Sequence, residues 1–406
     1  MSSQYSSGKQ LVVVAGAGVV GLSTALVMQQ SGLYQVVLVS EHLVSVPAST
    51  DKVVARIKAS NGSEFVFRDP ATIPALEMAS PYAGAHWRSL ATNSDVLLQQ
   101  CEKETFGKIS ALEKDNVTFD GRPIVTKLKG MDYYMQKPLE TPWYFDFVSK
   151  LKIQKEGQDG ADFPSGIELA VEYDTFVINS PLYCAYLYSE FIKSGGQFVK
   201  SKLSKLGDCE AVVSKLDLGS SKRIHAIINC TALGSKHLAD INDSSMHPVR
   251  GQVIIVYAPQ IKRTVTKLGG PAMRYVIPRG DGTVILGGTH LPHNFDTQVD
   301  NSTTAHILNE TLDLTPELVP GYKPSCPNSI PKSHALQLLK KNILAVKVGF
   351  RPGRTGGVRL EKSAISGSLS NSNITVIHNY GHSGFGVQSS WGFANMAYRM
   401  LIPYKL

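Results

Sequence analysis

The sequence has few cysteines, and none is spaced as in a zinc site or a small disulfide framework. It contains five, whereas zinc sites and disulfide-stapled domains both need cysteines in recurring pairs. An odd, unpatterned set predicts reduced thiols in an intracellular protein and no zinc or other metal site. The cysteines are Cys101, Cys184, Cys209, Cys230 and Cys326.

Long apolar runs are missing as well. A membrane-spanning helix needs about 18 or more consecutive apolar residues, and no stretch of the sequence meets that requirement. The N-terminal residues, MSSQYSSGK, are polar and lack the apolar centre of a secretory signal. We therefore expect neither a membrane span nor a signal peptide.

Dense basic clusters are absent, although the formal net charge is +8. Nucleic-acid binding requires lysine and arginine gathered on one surface, and here they are spread along the chain. Two interpretations of the charge stay open: a solvated surface without functional meaning, and a field that attracts anionic small substrates. We expect no nucleic-acid partner and no membrane partner.

The composition is that of a large folded protein. Of 406 residues, 43% are hydrophobic and 18% are charged, which excludes a disordered chain and supplies ample core. A chain of this length forms two domains or one large one.

The N-terminal region has the pattern of a strand, a glycine-rich turn, a helix and a second strand. We predict strands over Leu11–Ala15 and Tyr34–Val39 and a helix over Leu22–Gln30, with the turn GAGVVG at residues 16–21. This context is typical of a dinucleotide-binding unit. Glu41, after the second strand, can accept hydrogen bonds from ribose hydroxyls and disfavours a 2′-phosphate, so NADP is not expected.

The residues of the turn have separate roles. Gly16 allows the tight turn, Gly18 lets a phosphate approach the backbone, and Gly21 lets the helix pack on the strand. The N-terminus of the helix that follows the turn attracts phosphate through its free N–H groups and dipole.

A second glycine-rich segment lies near the C-terminus. Residues 378–392, HNYGHSGFGVQSSWG, follow a predicted strand over Thr375–His378 and lead into a predicted helix over Trp391–Leu401. One glycine-rich turn thus opens the first helix and another opens the last. This arrangement suits a long dinucleotide, with its pyrophosphate at one turn and its ring system near the other.

The remaining pattern predicts an interleaved α/β plus α+β protein with two domains. The dinucleotide-binding domain, Rossmann-like in pattern, is predicted over residues 1–110, 172–250 and 345–406, and an antiparallel-sheet substrate domain over 111–171 and 251–344. No internal repeat is visible. The other predicted elements are a hairpin of Val53–Lys58 and Glu64–Phe67 about the turn Asn61-Gly62, helices Pro181–Ser194, Thr303–Leu312 and Ser333–Leu339, and strands Arg223–Asn229, Val253–Tyr257, Tyr275–Ile277 and Thr283–Leu286.

A series of separated motifs extends over the whole chain. They are residues 12–23, 79–87 (ASPYAGAHW), 173–175 (YDT), 229–231 (NCT), 250–252 (RGQ), 275–279 (YVIPR), 287–289 (GGT), 348–352 (VGFRP) and 378–392. Together and in this order, they resemble the D-amino acid oxidase and D-aspartate oxidase family of FAD enzymes, in particular its fungal members.

The resemblance implies FAD as the cofactor, which makes the first domain FAD-binding. It also implies a D-amino acid and dioxygen as the small-molecule partners, and 2-oxo acid, ammonia and hydrogen peroxide as products of hydride transfer to flavin N5. It leaves a homodimer open. The residues that it implies around FAD are Gly16, Gly18, Val19, Val20, Gly21, Glu41, Ser80, Ala83, Gly84, Thr231, Gly381, Ser383, Gly384, Phe385, Gly386 and Gln388.

The catalytic residues follow from the same resemblance. Arg351 matches the arginine that binds the substrate α-carboxylate, a task for a planar bidentate donor. Tyr275 matches the tyrosine that bonds the same group, Gly384 the backbone carbonyl that accepts from the substrate amine, and Gln388 a polar position near flavin and substrate. The nearby Arg354 is predicted to be structural.

Substrate preference depends on a second cation in the pocket. His290 follows Gly287-Gly288-Thr289, and His86 and Arg88 flank Trp87. A cation there would pair with a β- or γ-carboxylate, which favours D-aspartate or D-glutamate. The alternative is a neutral His290 and a preference for neutral or apolar D-amino acids. Strand alternation places Arg274 away from Tyr275, which weakens Arg274 as a candidate.

The sequence departs from the family at two places and leaves other readings open. Ala232 stands where the family usually has glycine, and the connection from Glu41 to Ala79 is longer than in relatives. An NAD-dependent dehydrogenase is disfavoured because no nicotinamide site is visible, and an inactive flavoprotein because the catalytic positions are intact. The family and a C-terminal Tyr404-Lys405-Leu406, which departs from Ser-Lys-Leu at its first position, predict a peroxisomal location.

Overall fold

We describe the fold from a computed structural model, which describes residues 8–44, 53–58, 64–68, 76, 78–156, 164–218, 223–270, 272–324, 326–370 and 372–402. The predicted turn Asn61-Gly62 and the tail Tyr404-Lys405-Leu406 lie outside these residues. Among the described helices, none is long and apolar enough to cross a membrane. The cysteines are all free, and only Cys326 of them is exposed.

The described residues form seven α-helices and nineteen strands, with helices and strands alternating at the N-terminus and longer series of strands in the middle of the chain. The helices are α1 (Val19–Gln30), α2 (Val96–Lys114), α3 (Ser180–Lys193), α4 (Cys209–Val213), α5 (Asn301–Leu314), α6 (Lys332–Lys341) and α7 (Gly386–Arg399). The strands are β1 (Gln10–Ala15), β2 (Tyr34–Ser40), β3 (Val53–Lys58), β4 (Glu64–Arg68), β5 (Thr118–Phe119), β6 (Arg122–Pro123), β7 (Val125–Tyr134), β8 (Lys152–Lys155), β9 (Leu169–Ile178), β10 (Gln197–Lys200), β11 (Ile224–Asn229), β12 (Met246–Tyr257), β13 (Arg263–Leu268), β14 (Arg274–Pro278), β15 (Thr283–Gly287), β16 (Leu291–Pro292), β17 (Ile343–Arg354), β18 (Arg359–Ser366) and β19 (Asn373–Tyr380).

The first sheet has six strands in the order β10-β2-β1-β11-β19-β18. All neighbouring pairs are parallel except β18 with β19. Its central strands are apolar on both faces, as expected where helices cover both sides of a parallel sheet. The strands come from the beginning, middle and end of the chain, as the sequence predicts.

The helices beside this sheet meet at close range. Helix α1 packs against both α3 and α7, and α7 packs against α2. A Cβ atom on Gly392 of α7 would lie 2.2 Å from the Cα atom of Cys101 on α2, so only glycine allows this approach. The predicted start of α7 at Trp391 is wrong: the helix begins at Gly386, inside the glycine-rich segment.

Helix α2 was not predicted, although it is the longest of the described helices. Its buried residues include Glu102 and Thr105 among apolar neighbours, which blurs the hydrophobic periodicity that indicates a helix. Asp95 caps its N-terminus by accepting from the Leu98 amide. Of these, Glu102 belongs to the functional site described below.

The second sheet has nine strands and is mostly antiparallel. The order is β16-β12-β15-β14-β13-β7-β9-β8, with β17 on the other edge of β12. Strands β7 and β13 form a parallel pair inside it. This mixed α/β architecture confirms the predicted fold class, while the domain boundaries themselves stay a prediction.

The long connection after Glu41 contributes the predicted hairpin of β3 and β4. Its side chains Ala55, Ile57, Phe65 and Phe67 pack on the apolar cluster of the nine-stranded sheet. Phe65 stacks on Tyr257 with ring centroids 4.2 Å apart. The hairpin therefore covers part of that sheet.

Asp243 joins the ends of three strands. Its carboxylate accepts from Arg354 Nε at 2.8 Å and from the Tyr380 hydroxyl at 2.8 Å, and it lies 3.7 Å from Arg359 Nη1. Burial alone would raise the pKa of Asp243, but these partners hold it below its usual value. Arg354 thus has the structural role predicted for it.

We expect Asp243→Asn to lower the free energy of unfolding by about 2–4 kcal/mol at neutral pH, because two arginines lose a buried anion. A carboxylate whose folded pKa is depressed stabilises the fold above its unfolded pKa, and this contribution is lost as the pH falls through the folded pKa. The difference between the variant and the wild type should therefore shrink below about pH 4.

Urea unfolding at neutral and acidic pH measures this difference. The exposed Asp217→Asn change, which also removes one negative charge, serves as the control and should leave the free energy of unfolding nearly unchanged. A stability for Asp243→Asn equal to that of the control at neutral pH would contradict the role of the carboxylate.

Candidate active site

The first glycine-rich turn lies at the carboxyl end of β1, where the chain enters α1. Gly16 has a φ of +103°, and a Cβ on Gly21 would lie 1.9 Å from the Gly16 carbonyl oxygen. Both positions therefore require glycine. The backbone N–H of Val19, the first residue of α1, donates to Ser80 Oγ at 2.9 Å, so Ser80 is held directly at the helix N-terminus.

A cavity of about 1010 Å³ begins at this turn. It extends past Glu41 at the end of β2 and along the segment 78–90 to β14, β17 and the second glycine-rich segment. Of the residues predicted around the cofactor, it is lined by Gly16, Gly18, Val19, Val20, Gly21, Glu41, Ser80, Ala83, Gly84, Thr231, Ser383, Gly384, Phe385, Gly386 and Gln388.

Gly381 is the one predicted cofactor residue that does not line the cavity. It has a φ of +90°, and a Cβ there would lie 3.0 Å from the Cβ of Arg354. Gly381 shapes the turn between β19 and the residues that do line the cavity, and its contact with the cofactor stays a prediction.

The carboxylate of Glu41, where the cavity passes the end of β2, suits the ribose of a dinucleotide. Glu41 Oε2 lies 3.2 Å from Lys202 Nζ, and Lys202 is largely exposed. An exposed ion pair of this kind contributes little, so the carboxylate stays available to ribose hydroxyls. Lys202, which also lines the cavity, was missed because nothing in the sequence links it to Glu41.

Two buried polar atoms at the wall also fit a bound polar ligand. Asn379 Oδ1 and His382 Nε2 have no hydrogen-bond partner among the described residues, and both residues line the cavity. Buried polar groups are nearly always paired, so these atoms are suited to a polar ligand. Burial lowers the pKa of His382 to about 3, which makes it a neutral group there.

Ala232 follows Thr231 in the cavity wall and has a φ of +52°. This left-handed conformation costs about 1 kcal/mol for a residue with a Cβ and nothing for glycine. The strain explains in physical terms why a glycine is expected at this turn and shows that alanine still adopts it.

Arg351 and Tyr275 both lie in the nine-stranded sheet, and both line the cavity. Arg351 on β17 donates from Nη1 to the Thr289 carbonyl at 3.1 Å. Tyr275 on β14 lies against Gly287 and Gly288, where a Cβ atom would come within 2.5 Å of the tyrosine side chain. A Cβ on Gly384 would lie 3.5 Å from Arg351 Cδ, so the glycine-rich segment and the arginine are neighbours.

The strand residue before Tyr275 points elsewhere. Arg274 donates from Nη1 to the Gly288 carbonyl at 2.8 Å, and its Nη2 lies 3.1 Å from Glu310 on α5. Alternation along β14 therefore excludes Arg274 from the substrate end of the cavity, as the sequence predicts.

The three residues predicted to contact the side chain of the substrate differ in charge. His86 lines the cavity, but burial and the nearby Arg88 lower its pKa to about 3, which does not support the predicted cation there. His290 also lines the cavity, and desolvation together with the Arg351 charge lowers its pKa. Both imidazoles are therefore neutral in the protein near pH 7.

Arg88 is the permanent cation of this set. Its Nε donates to Oδ2 of the fully buried Asp132 at 3.0 Å. Burial alone would lower the pKa of Arg88, but Asp132 and the surrounding tyrosines raise it. The same oxygen of Asp132 accepts from the hydroxyls of Tyr144 and Tyr173 at 3.0 and 3.2 Å.

The buried carboxylate of Glu102 holds Gln388, because Glu102 Oε1 accepts from Gln388 Nε2 at 2.7 Å. This acceptor, Glu102, also binds the Ser89 hydroxyl and the Leu90 amide. Burial raises its pKa, although these donors oppose the rise. Because a carboxylate only accepts, it fixes Gln388 Nε2 toward itself and leaves the amide oxygen as the group that can face a ligand.

Sequence reasoning missed Glu102 and Asp132, the two acids beneath this site. Each is fully buried and bonded to residues distant in sequence. The only local signal for Asp132 is an acid near the end of an apolar strand beside Tyr133 and Tyr134, which a buried ion pair would explain.

The chain matches the family described as "DAO: FAD dependent oxidoreductase" over residues 12–400. It is 28% identical over 393 residues to the D-amino-acid oxidase of Schizosaccharomyces pombe, covering 97% of this chain and 96% of that protein. It is also 28% identical to the D-aspartate oxidase of Talaromyces thermophilus, covering 94% of this chain and 92% of that protein.

Solved structures agree on the fold. Glycine oxidase from Geobacillus kaustophilus superimposes with a TM-score of 0.64 at 13% identity, covering 97% of this chain and 95% of that one. L-proline dehydrogenase from P. horikoshii gives 0.59 at 12% identity, covering 97% and 93%. Because the family match extends over nearly the whole chain and includes both glycine-rich segments, this protein belongs to the DAO family of FAD-dependent oxidoreductases.

Proposed function

We propose that this protein is an FAD-dependent oxidase of D-amino acids that prefers the acidic substrates D-aspartate and D-glutamate. The observation that carries the proposal is the meeting of Arg351, Tyr275 and Gly384 in the cavity that begins at the Gly16–Gly21 turn. The relatives named D-amino-acid oxidase and D-aspartate oxidase support the reaction class, and they do not separate the two substrate preferences.

The α-carboxylate of the substrate binds to Arg351 and the Tyr275 hydroxyl in this proposal. A guanidinium offers paired N–H groups to the paired oxygens of a carboxylate. The Thr289 carbonyl takes one N–H of Arg351 at 3.1 Å and thereby fixes the plane of the guanidinium.

The substrate amine is held by the backbone carbonyl of Gly384, beside Arg351. FAD held in this cavity would accept the substrate Cα hydrogen as a hydride, and dioxygen would take the two electrons from the reduced cofactor and be reduced to hydrogen peroxide. The residues of this chain that hold FAD are those of the two glycine-rich segments, with Ser80, Thr231 and Glu41. Their contribution is alignment. Because the substrate amine is neutral in the proposed reactive complex, the Cα hydrogen can leave as a hydride without a general base.

In this proposal the preference for acidic substrates comes from Arg88 and His290, which line the same cavity as Arg351. Arg88 keeps its charge, and His290 can take a proton when a second carboxylate binds next to it. The alternative is an oxidase of neutral or apolar D-amino acids. The lowered pKa values of His86 and His290 favour that alternative, because a neutral imidazole offers no charge to a second carboxylate.

A peroxisomal location remains a prediction. The residues Tyr404-Lys405-Leu406 lie outside the described part of the chain, and the support is the peroxide that the proposed reaction releases. Imaging the fluorescently labelled chain beside a peroxisomal marker measures the location, and a diffuse signal would contradict it.

Arg351→Gln tests the carboxylate site. We expect kcat/KM for the best D-amino acid to fall by about 100-fold or more, because two hydrogen bonds to a charged group are lost. The FAD absorbance of the purified protein should stay unchanged. Arg263→Gln, which breaks an exposed ion pair with Glu317, should keep wild-type activity, and equal activity of both variants would remove Arg351 from the reaction.

His290→Asn tests the substrate preference. The pKa of His290 is lowered, so the imidazole is neutral at pH 8 and gains a proton as the pH falls, most readily beside a second carboxylate. The ratio of kcat/KM for D-aspartate to that for D-alanine should therefore rise by about threefold to tenfold between about pH 8 and pH 6.

In His290→Asn this ratio should become independent of pH. Peroxide release, measured with both substrates and with the L-enantiomers as controls, gives the ratio. A wild-type ratio that favours D-alanine at every pH would support the neutral alternative and leave the reaction class intact.

A further inference from the structure

Strand β12 carries the segment Arg250-Gly251-Gln252, which the proposed reaction does not use. Its middle residue faces the cavity: a Cβ on Gly251 would lie 2.5 Å from Arg351 Nη1 and 2.9 Å from Cζ. The guanidinium of Arg351 thus lies directly on the backbone of Gly251. Because side chains alternate along a strand, the neighbours Arg250 and Gln252 project from the opposite face.

These two neighbours are buried, at 3% and 0% exposure. Arg250 Nε donates to the Asp296 carbonyl at 2.7 Å, and its Nη2 donates to the Gln298 carbonyl and to Gln252 Oε1. A buried guanidinium is therefore used to hold the backbone of an otherwise exposed segment.

Gln252 holds the end of the same segment. Its Nε2 donates to the Asp300 carbonyl at 2.8 Å and to Thr304 Oγ1 at 2.9 Å, and its Oε1 accepts from the Asp300 amide at 2.9 Å. Its own backbone N–H donates to Thr289 Oγ1 at 2.8 Å. Gln252 thus fixes both ends of residues 289–300: its backbone N–H holds Thr289, and its side chain holds Asp300.

The beginning of that segment belongs to the substrate site. The Thr289 carbonyl accepts from Arg351 Nη1, and the next residue is His290, which lines the cavity. The middle of the segment is open, with Phe295 exposed by 55%. The first part of the segment is also held by the sheet, because Leu291 and Pro292 pair with β12 and the His293 amide donates to the Pro248 carbonyl at 2.8 Å. The exposed residues that follow depend on the side chains of Arg250 and Gln252 to keep one position.

We propose that Arg250 and Gln252 are positioning residues that fix residues 289–300, so that Thr289 orients Arg351 and His290 stays at the substrate side chain. This proposal rests on the proposed function of Arg351. It also explains why an arginine, a glycine and a glutamine occupy residues 250–252 of β12. Gly251 leaves space for the guanidinium of Arg351, and its two neighbours hold the segment that begins at Thr289, whose carbonyl orients that guanidinium.

The test compares Arg250→Gln and Arg250→Lys in the full-length, FAD-loaded protein. Losing the ties should raise KM for the best D-amino acid by about tenfold or more with a smaller fall in kcat, since misplacing a binding group weakens binding first. Arg250→Lys, which keeps one charged donor, should recover part of the loss. Thr289→Val provides a milder second variant if Arg250→Gln does not fold.

Limited digestion with chymotrypsin gives a readout independent of activity. Cleavage after Phe295, identified by mass spectrometry, should become about tenfold faster in Arg250→Gln and faster in Thr289→Val, because local opening controls cleavage. Arg263→Gln on β13, a strand of the same sheet that does not pair with β12, should match the wild type in both cleavage and KM.

Unchanged cleavage after Phe295 together with unchanged KM would overturn the proposal. Faster cleavage with unchanged KM would also overturn it, because the segment would then be held without orienting Arg351. If the wild type oxidises none of the D-amino acids, the proposed function fails, while unchanged cleavage in Arg250→Gln would separately refute the tie.

Discussion

The antiparallel pairing of β12 with β17 is the constraint on which the substrate end of the cavity depends. The register places Arg351 opposite Val249 and Gly349 opposite Gly251, so Arg351 lies diagonally over Gly251, at the distance where long side chains reach a neighbour across a strand pair. A shift of one residue would turn Arg351 to the other face of the sheet. The long pairing, continuous from Met246 to Ile255, makes such a shift costly.

The site also depends on charged groups that are buried, which is unfavourable for folding unless they are well bonded. Glu102, Asp132 and Arg250 all lie below the surface, and each is surrounded by donors or acceptors from distant parts of the chain. Removing a charge from water is unfavourable unless several hydrogen bonds replace the lost solvation. These buried groups make the site rigid. Glu102 holds Gln388 and Asp132 holds Arg88, both of which line the cavity, and Arg250 holds the segment that follows Thr289.

The sequence predicts the parts of this structure that depend on local pattern. The strands around Val12–Val14, the turn at Gly16–Gly21 and the position of Arg351 follow from apolar runs, glycine spacing and the family resemblance. The polar residues beneath the site do not, because Glu102 blurs the periodicity of α2 and Asp132 meets Arg88 only after folding. The start of β12 was missed for a similar reason, since Pro248, Arg250 and Gly251 interrupt its apolar pattern.

The charges at the substrate end constrain which D-amino acids it can distinguish. Arg351 binds a carbonyl oxygen in the protein, so its charge remains available to the α-carboxylate, whereas much of the Arg88 charge is already balanced by Asp132. A second substrate carboxylate must therefore share Arg88 with Asp132, or its negative charge must cause His290 to take up a proton from solvent. A fixed cation at residue 290 would give the preference for acidic substrates at any pH. In the proposed function, a histidine beside Arg351 would make this preference depend on pH, because the arginine proposed to bind the substrate also disfavours the charged imidazole until the substrate carboxylate arrives.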